Sequence, residues 1–318
     1  MLEEMMKNLM EETMYIQAFE QFANSNQYRW HYQYDGQKLD FQVQINGIIH
    51  GNESGSLPAL IELIQQLENQ TIQFPGRISI ILGNPEAHNL DQRFVEEDLN
   101  RMFFDNPSQS HEACRARELM PIFDQCDFIL DLHQTILPSE EPFYIFPNSQ
   151  QSLYWAQIIG GSPFYIDATP TSDVIQYQCA DEYVWRQGKP ALTLELGEKG
   201  IRASTTETTT KVLHNLLQAI EDVFVNGADL QKLSASQVAL RKLSTLHREP
   251  YHNEHYHLKD GLINFTPVRQ GEPLQAPNTP ELIAPCDGFL LFPKYPKYLH
   301  GKIAETLPKE IYRIVGTP

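Results

Sequence analysis

His50, Glu53 and His133 are the residues of this chain whose types and spacing could do chemistry. The first two form a His-x-x-Glu pair in Ile48-Ile49-His50-Gly51-Asn52-Glu53-Ser54-Gly55, and the third ends Asp127-Phe128-Ile129-Leu130-Asp131-Leu132-His133. Two imidazoles and a carboxylate suit a zinc ion that keeps one coordination position open for water. Each residue taken singly also has a plain reading: a lone His or Glu in a turn is usually structural or solvated, and His-x-x-Glu has many chance matches. The neighbouring motifs decide between the two.

The elements needed to position these side chains are visible in the pattern. Phe41, Val43 and Ile45 alternate with polar residues, the period of a half-buried strand. Leu57, Leu60, Ile61, Ile64 and Leu67 have helical spacing, with Pro58 tolerated in the first turn. His50 to Glu53 then forms a tight strand-to-helix turn that lets both side chains converge. In the second segment, alternation sends Phe128, Leu130 and Leu132 to one face and Ile129, Asp131 and His133 to the other. The imidazole emerges at a strand end, where open α/β sheets carry their sites.

Further motifs surround the candidate ligands. Asn84-Pro85 follows the apolar run Ile78 to Leu82, and Arg93 precedes Asp98-Leu99-Asn100-Arg101-Met102-Phe103. Ala191-Leu192-Thr193-Leu194-Glu195-Leu196-Gly197 places Thr193 and Glu195 on one strand face and three leucines on the other. A carboxylate ending such a strand is costly unless paired or working.

With these residues the chain resembles the succinylglutamate desuccinylase and aspartoacylase family, a branch of the zinc carboxypeptidase-like hydrolases. The matching motifs are His50-Gly51-Asn52-Glu53, Gly83-Asn84-Pro85, Asp98 to Phe103, Asp131-Leu132-His133 and Thr193 to Gly197. Weaker likeness to the desuccinylase branch runs through Cys114 to Leu119, Asn264-Phe265 and Leu291-Phe292-Pro293. The resemblance implies one zinc per chain on His50, Glu53 and His133, with Glu195 as general base and acid. It implies that Arg93 polarises the scissile carbonyl and that Asn100 and Arg101 hold a substrate carboxylate. Asp98 matches the carboxylate that orients a zinc histidine in related carboxypeptidases.

Two departures bear on the substrate. After His133 the desuccinylases continue Thr-Ala-Ile-Arg, whereas this chain has Gln134-Thr135-Ile136-Leu137. An arginine expected before the catalytic glutamate is matched only loosely by Arg186, taken as a further substrate-binding residue. Arg115 and Arg117, in Ser110 to Glu118, read most simply as a solvated helix face.

The chemistry explains the residue types. Amide hydrolysis at neutral pH needs an activated water and a sink for carbonyl charge, and zinc serves both. Glu195 would move the proton from water to the departing amine, Arg93 would stabilise the oxyanion, and Arg101 suits bidentate carboxylate recognition.

At 318 residues the chain can bury a large core. Its N-terminus, Met1-Leu2-Glu3-Glu4, lacks a basic region with an apolar core, so no secretory signal is expected, and no apolar run reaches a membrane span. Cys114, Cys126, Cys179 and Cys286 form no Cys-x-x-Cys pair, the usage of reduced thiols in a cytoplasm. A formal net charge of -17 repels phosphate backbones and argues against nucleic-acid binding. A small anionic substrate must be captured by a local cluster such as Arg93 and Arg101. The sequence leaves the oligomeric state open.

Apolar segments interleave with helix-like ones from about residue 40 to 225, predicting an α/β sheet with helices on its faces. Lys211 to Val225 reads as its last helix, stopped by Asn226-Gly227. Beyond about 245, prolines and the hairpin-type turns Asp260-Gly261 and Asp287-Gly288 indicate β structure. The expected division is a zinc-carboxypeptidase-like catalytic domain over 1–235, with a mixed sheet, and a small β-rich C-terminal domain over 236–318. The resemblance implies that this second domain packs on the first and narrows access to the metal. His252, His255 and His257 tempt a second metal site, but nothing completes it, and a surface or interface role is the simpler reading. Ser54 lacks the spacing of a nucleophile elbow and reads as a helix N-cap.

The function expected is zinc-dependent hydrolysis of an N-acyl amino acid, N-succinylglutamate-like, to the acid and the amino acid, a step of amino-acid catabolism. An aspartoacylase-like deacylase or a small-peptide carboxypeptidase shares the chemistry, and a non-catalytic metal-binding sensor is the alternative from another class.

Overall fold

The computed structural model describes residues 2–24, 28–104, 106–169, 178–295, 298–299, 302–303 and 308–317. Its strands are β1 (His31–Asp35), β2 (Gln42–Gly47), β3 (Arg77–Leu82), β4 (Phe128–Thr135), β5 (Phe143–Phe146), β6 (Phe164–Asp167), β7 (Ala191–Glu198), β8 (Arg241–Pro250), β9 (Pro267–Val268), β10 (Gly288–Leu291), β11 (Tyr298–Leu299), β12 (Lys302–Ile303) and β13 (Glu310–Gly316). The helices are α1 (Leu2–Phe22), α2 (Leu57–Glu68), α3 (Pro85–Asn89), α4 (His111–Phe123), α5 (Gln150–Ile159), α6 (Ala180–Trp185), α7 (Ala203–Phe224) and α8 (Leu230–Ala235).

Eleven strands form one mixed sheet in the order β1-β3-β2-β4-β7-β5-β6-β8-β13-β10-β9, while β11 and β12 pair with each other. The centre is parallel, β3-β2-β4-β7, and β5 joins it antiparallel. Helices cover both faces. Residues of α1, α2, α5 and α7 pack with Val43, Ile45, Leu130 and Leu194 on one side. Residues of α4 and α6 pack with Ile81, Ile129 and Ala191 on the other. This is the expected α/β class, a mixed sheet flanked by helices with β strands following.

Because β2 lies between β3 and β4 under helices on both faces, it is buried along its whole length rather than half-buried. Its polar residues are only partly satisfied: Gln44 donates to Asn46 Oδ1 at 2.7 Å, while Gln42 Oε1, Gln44 Oε1 and Asn46 Nδ2 are buried without a partner among the described residues. The helix after the His50 turn forms as its spacing predicts, but Ser54 does not cap it. Ser56 holds the N-cap position, and the Ser54 hydroxyl donates to Glu12 of α1 at 2.6 Å. Nor is Lys211 to Val225 the last helix of the first unit, since α8 follows α7.

Arg115 is the largest departure from the sequence reading. It is buried, and its guanidinium donates to the carbonyls of Gly83, Leu82 and Arg29 at 2.9, 3.0 and 3.3 Å. It thereby satisfies backbone acceptors at the end of β3, while Arg117 remains on the solvated side.

The C-terminal strands extend the same sheet, because β8 pairs parallel with β6 and antiparallel with β13. Asp260-Gly261 forms a turn, but Gly288 is the first residue of β10 instead of part of a hairpin turn. A Cβ there would come within 2.6 Å of both Ile314 Cγ2 and the Val315 carbonyl, so glycine serves the close approach of β13. The segment holding His252, His255 and His257 is not a strand, so no shared strand face exists. His252 pairs with Glu249 at 3.1 Å and His255 is exposed.

Candidate active site

The backbone at the end of β2 is strained where the site begins. Ile48 has φ 53°, an outlier for a β-branched side chain, and its carbonyl accepts from Asn84 N at 2.7 Å. The reversal sends Ile48 and Ile49 to cores on opposite faces and brings His50 to the sheet edge. Gly51 is required next: a Cβ would lie 2.3 Å from the backbone of Ala87 and His88. The turn closes with Glu53 N donating to the His50 carbonyl at 3.1 Å.

His50, Glu53 and His133 converge at this edge. Their candidate ligand atoms all lie within 4.8 Å of one another, and all three residues are buried. Among the described residues no other group of His, Cys, Asp or Glu could hold a metal ion. His50 Nδ1 is 2.8 Å from Glu53 Oε1, His133 Nδ1 is 2.9 Å from Glu53 Oε2, and the two Nδ1 atoms are 3.2 Å apart. These atoms are close enough to share one cation, packed somewhat more tightly than the roughly 3.3–3.8 Å edges set by ligands about 2.0–2.3 Å from a tetrahedral centre.

The outer nitrogens explain why a cation fits. His50 Nε2 faces Asp98 Oδ1 at 3.1 Å, and His133 Nε2 faces Asp131 Oδ2 at 2.9 Å. Each carboxylate favours a proton on the outer nitrogen, which turns a lone pair inward from both Nδ1 atoms. Two lone pairs and the Glu53 carboxylate then face one another, a donor set that a cation completes. Burial works against the charged imidazole of His133, but Asp131 and Glu53 hold its pKa well above the usual value. Despite burial, Glu53 is held far below the ordinary carboxylate range by His50 and His133, and Asp98 by His50 and Arg93.

Arg93 spans the two carboxylates. Its Nε and Nη2 donate to Asp98 Oδ2 at 3.2 and 3.0 Å, and Nη1 lies 3.4 Å from Glu53 Oε1. A guanidinium has five N–H groups, so two remain for an incoming oxygen, and the side chain is 34% exposed. Glu195 occupies the adjacent strand, paired in register with His133. It is buried, its Oε2 has no hydrogen-bond partner, and its pKa is pushed up to about 7, first by burial and then by Glu53.

The loop carrying Asp98 is organised by a residue that the sequence reading passed over. Glu112, buried in the first turn of α4, accepts from the backbone nitrogens of Val95, Glu96 and Glu97 at 2.6, 3.1 and 3.0 Å and from Asn84 Nδ2 at 2.9 Å. Asn84 itself caps α3, so the Asn84-Pro85 motif is architectural. Asp131 was also missed as a partner of His133, although its position two residues earlier on the same strand face was a readable signal. Gln134 links the site's loops, accepting from Gly55 N at 2.7 Å and donating to the Glu198 carbonyl at 2.7 Å.

Residues 41–223 match the succinylglutamate desuccinylase/aspartoacylase catalytic domain. The chain belongs to the succinylglutamate desuccinylase/aspartoacylase family. Over 241 residues it is 27% identical to a succinylglutamate desuccinylase of Pseudomonas aeruginosa, covering 70% of each chain. Over 268 residues it is 25% identical to that of Serratia proteamaculans, covering 79% of each. The fold is similar to the succinylglutamate desuccinylase structure from Vibrio parahaemolyticus, with TM-score 0.66, 19% identity and coverage of 90% of this chain and 86% of that one. It is also similar to murine aminoacylase 3, with TM-score 0.60, 21% identity and coverage of 87% and 96%.

Not every residue that the family resemblance singled out joins the cluster. Arg101 is exposed, its Nη1 donating to its neighbour's carbonyl and lying 3.1 Å from Cys179 Sγ. Asn100 is buried, and its Oδ1 accepts from Ala180 N at 2.9 Å, fixing the start of α6. Arg186 pairs with Glu182 at 2.6 Å and lies over Phe104, with its guanidinium carbon 5.2 Å from the ring centre.

Proposed function

We propose that this chain is a zinc-dependent amidohydrolase that releases the amino acid from an N-acyl amino acid, with an N-succinylglutamate-like substrate. One observation carries the reading: two histidines whose outer nitrogens are held by carboxylates turn their inner nitrogens toward Glu53, beside a buried, unpartnered Glu195. Family membership supports the reaction class.

His50 Nδ1, Glu53 and His133 Nδ1 would hold one zinc, with Asp98 and Asp131 fixing the imidazoles. Zinc bound there would supply Lewis acidity toward the acyl carbonyl and would acidify the attacking water. Glu195 takes the proton from that water and delivers it to the departing amine, because an amine anion is a poor leaving group. A carboxylate with a pKa of about 7 can do both near neutral pH. Arg93 turns its two free N–H groups to the developing oxyanion. Arg101, placed by Asn100, holds the amino-acid carboxylate, with Arg186 as a further contact at the mouth.

The same reading treats 1–235 as catalytic domain and 236–318 as a second domain. A separate apolar cluster around Leu258, Leu274, Leu290 and Ile314 supports the division. Among the described residues no helix is long and apolar enough to cross a membrane, and all four cysteines are free, which supports a cytoplasmic setting. Purified protein loaded with zinc should release glutamate from N-succinylglutamate and lose that activity to a chelator. Failure to hydrolyse any N-acyl amino acid at one zinc per chain would refute the assignment.

A further inference from the structure

The C-terminal strands bring a cation to the candidate site from more than ninety residues away in sequence. Phe143 of β5 is the cross-strand partner of Glu195, and it packs edge-on against Phe292, with ring centres 5.8 Å apart. Phe292 is held in a strained conformation, φ 51°, by Asn264, whose Oδ1 accepts from Phe292 N at 2.7 Å while its Nδ2 donates to the carbonyls of Leu137 and Pro138. Over this ring lie Lys294 Nζ, 5.5 Å from its centre, and the Arg313 guanidinium carbon, 5.3 Å away.

The two cations differ in their commitments. Arg313 Nε is bound to Glu310 at 2.6 Å, and Glu310 also accepts from Arg248 at 3.1 Å. Lys294 Nζ has no hydrogen-bond or ion-pair partner among the described residues, although its backbone nitrogen is anchored on the Ile311 carbonyl at 2.9 Å. Burial pushes its ammonium down to about 8, and Arg93 and Arg313 add to that while Glu310 and Glu195 oppose it. The lysine is therefore half-buried, within electrostatic reach of both Arg93 and Glu195, and lacks an anion of its own.

We propose that Lys294 is a specificity-determining residue that binds a carboxylate at the far end of the substrate's acyl group, selecting dicarboxylic acyl chains over acetyl. The assignment rests on the deacylase reading above. Arg101 stands beside Cys179 at the start of α6 and serves the amino-acid end. Lys294 comes from the chain after β10 toward the strand of Glu195, by way of Phe292 and Phe143, and the acyl end is the one left for it. Phe292 and Phe143 give the intervening methylenes an apolar wall. In a chain with net charge -17, an ammonium left without a carboxylate beside the proposed catalytic groups is well suited to an anionic ligand.

The test compares N-succinylglutamate with N-acetylglutamate on the zinc-loaded wild type, Lys294→Met and Lys294→Arg. A charge-assisted hydrogen bond lost from a partly buried site corresponds to about 10- to 100-fold. Lys294→Met should raise KM for the succinyl substrate by that factor relative to the acetyl one, with the kcat ratio little changed, and Lys294→Arg should recover most of it. Calorimetric titration with succinate and with acetate gives a readout independent of turnover, and the methionine variant should lose the preference for succinate. An equal penalty on both substrates would move Lys294 to the amino-acid end and overturn the assignment, as would an unchanged ratio. A wild type that hydrolyses neither substrate would instead remove the deacylase reading, and the subsite with it.

Discussion

His133 and Glu195 stand side by side in register across the parallel β4–β7 ladder. An imidazole of the candidate metal cluster and the proposed proton carrier thus project from adjacent strands of one sheet, with no loop between them to change their separation. Glu195→Gln keeps the shape and removes the proton transfer. It should lower kcat by about 10²- to 10⁴-fold while zinc content, read by atomic absorption, stays at that of the wild type. Full activity in this variant would exclude Glu195 as the base.

Asp98 and Asp131 should matter to the metal more than to the fold. Replacing either by Asn weakens the bias that turns the histidine lone pairs inward, and zinc affinity should fall about 10- to 100-fold. Competition with a chromophoric chelator measures this directly. Unchanged affinity in both variants would mean that the outer carboxylates do not set the tautomers.

The pH dependence follows from Glu195. Burial and then the Glu53 charge raise its carboxyl to about 7, so the base is lost to protonation as pH falls. A bound cation stabilises the carboxylate and moves that loss to lower pH. The acidic limb of kcat/KM should therefore lie at or below about pH 7, and a limb centred above pH 8 would contradict the role.

Asp181 gives a stability prediction. It is fully buried near Asp131, and burial, followed by the Asp131 charge, raises its pKa to about 6. The folded chain keeps a proton that the unfolded chain releases near pH 4. Stability at this site therefore declines as pH rises from about 4 to 6, then stays lower. Asp181→Asn removes that penalty and should stabilise the protein by roughly 2 kcal/mol at pH 7.5 but little at pH 4. Urea denaturation at the two pH values checks the sign.

Arg115 and Arg117 should behave oppositely although they are two residues apart. Arg115→Ala leaves the Gly83 and Leu82 carbonyls without their buried donor and should cost roughly 2–4 kcal/mol. Arg117→Ala should cost less than about 1 kcal/mol. Comparable denaturation midpoints for the two variants would refute the buried role.

The parts of the fold that repeat locally were legible in the sequence. The alternation around Val43 and Leu130, the helical period from Leu57 to Leu67 and the leucine face opposite Glu195 each fixed an element and the side its polar residues take. His50, Glu53 and His133 were readable because a strand end and a turn constrain direction. What escaped depends on distant chain. Glu112 looks like any helix-start acid until the 95–97 loop folds onto it, and Arg115 looks solvated until β3 ends above it. Lys294 gives no local hint of its neighbours, because nothing in Phe292-Pro293-Lys294 predicts that Asn264 will hold that segment against Phe143, the strand partner of Glu195.

The pairing of β8 with both β6 and β13 has a mechanical implication. A lid on a linker can rock, but this appendage is stitched into the same sheet as the strand bearing Glu195, so opening it would rupture main-chain bonds. Discrimination among acyl chains should accordingly come from a fixed gauge, cut to length by the backbone, and not from closure around each guest.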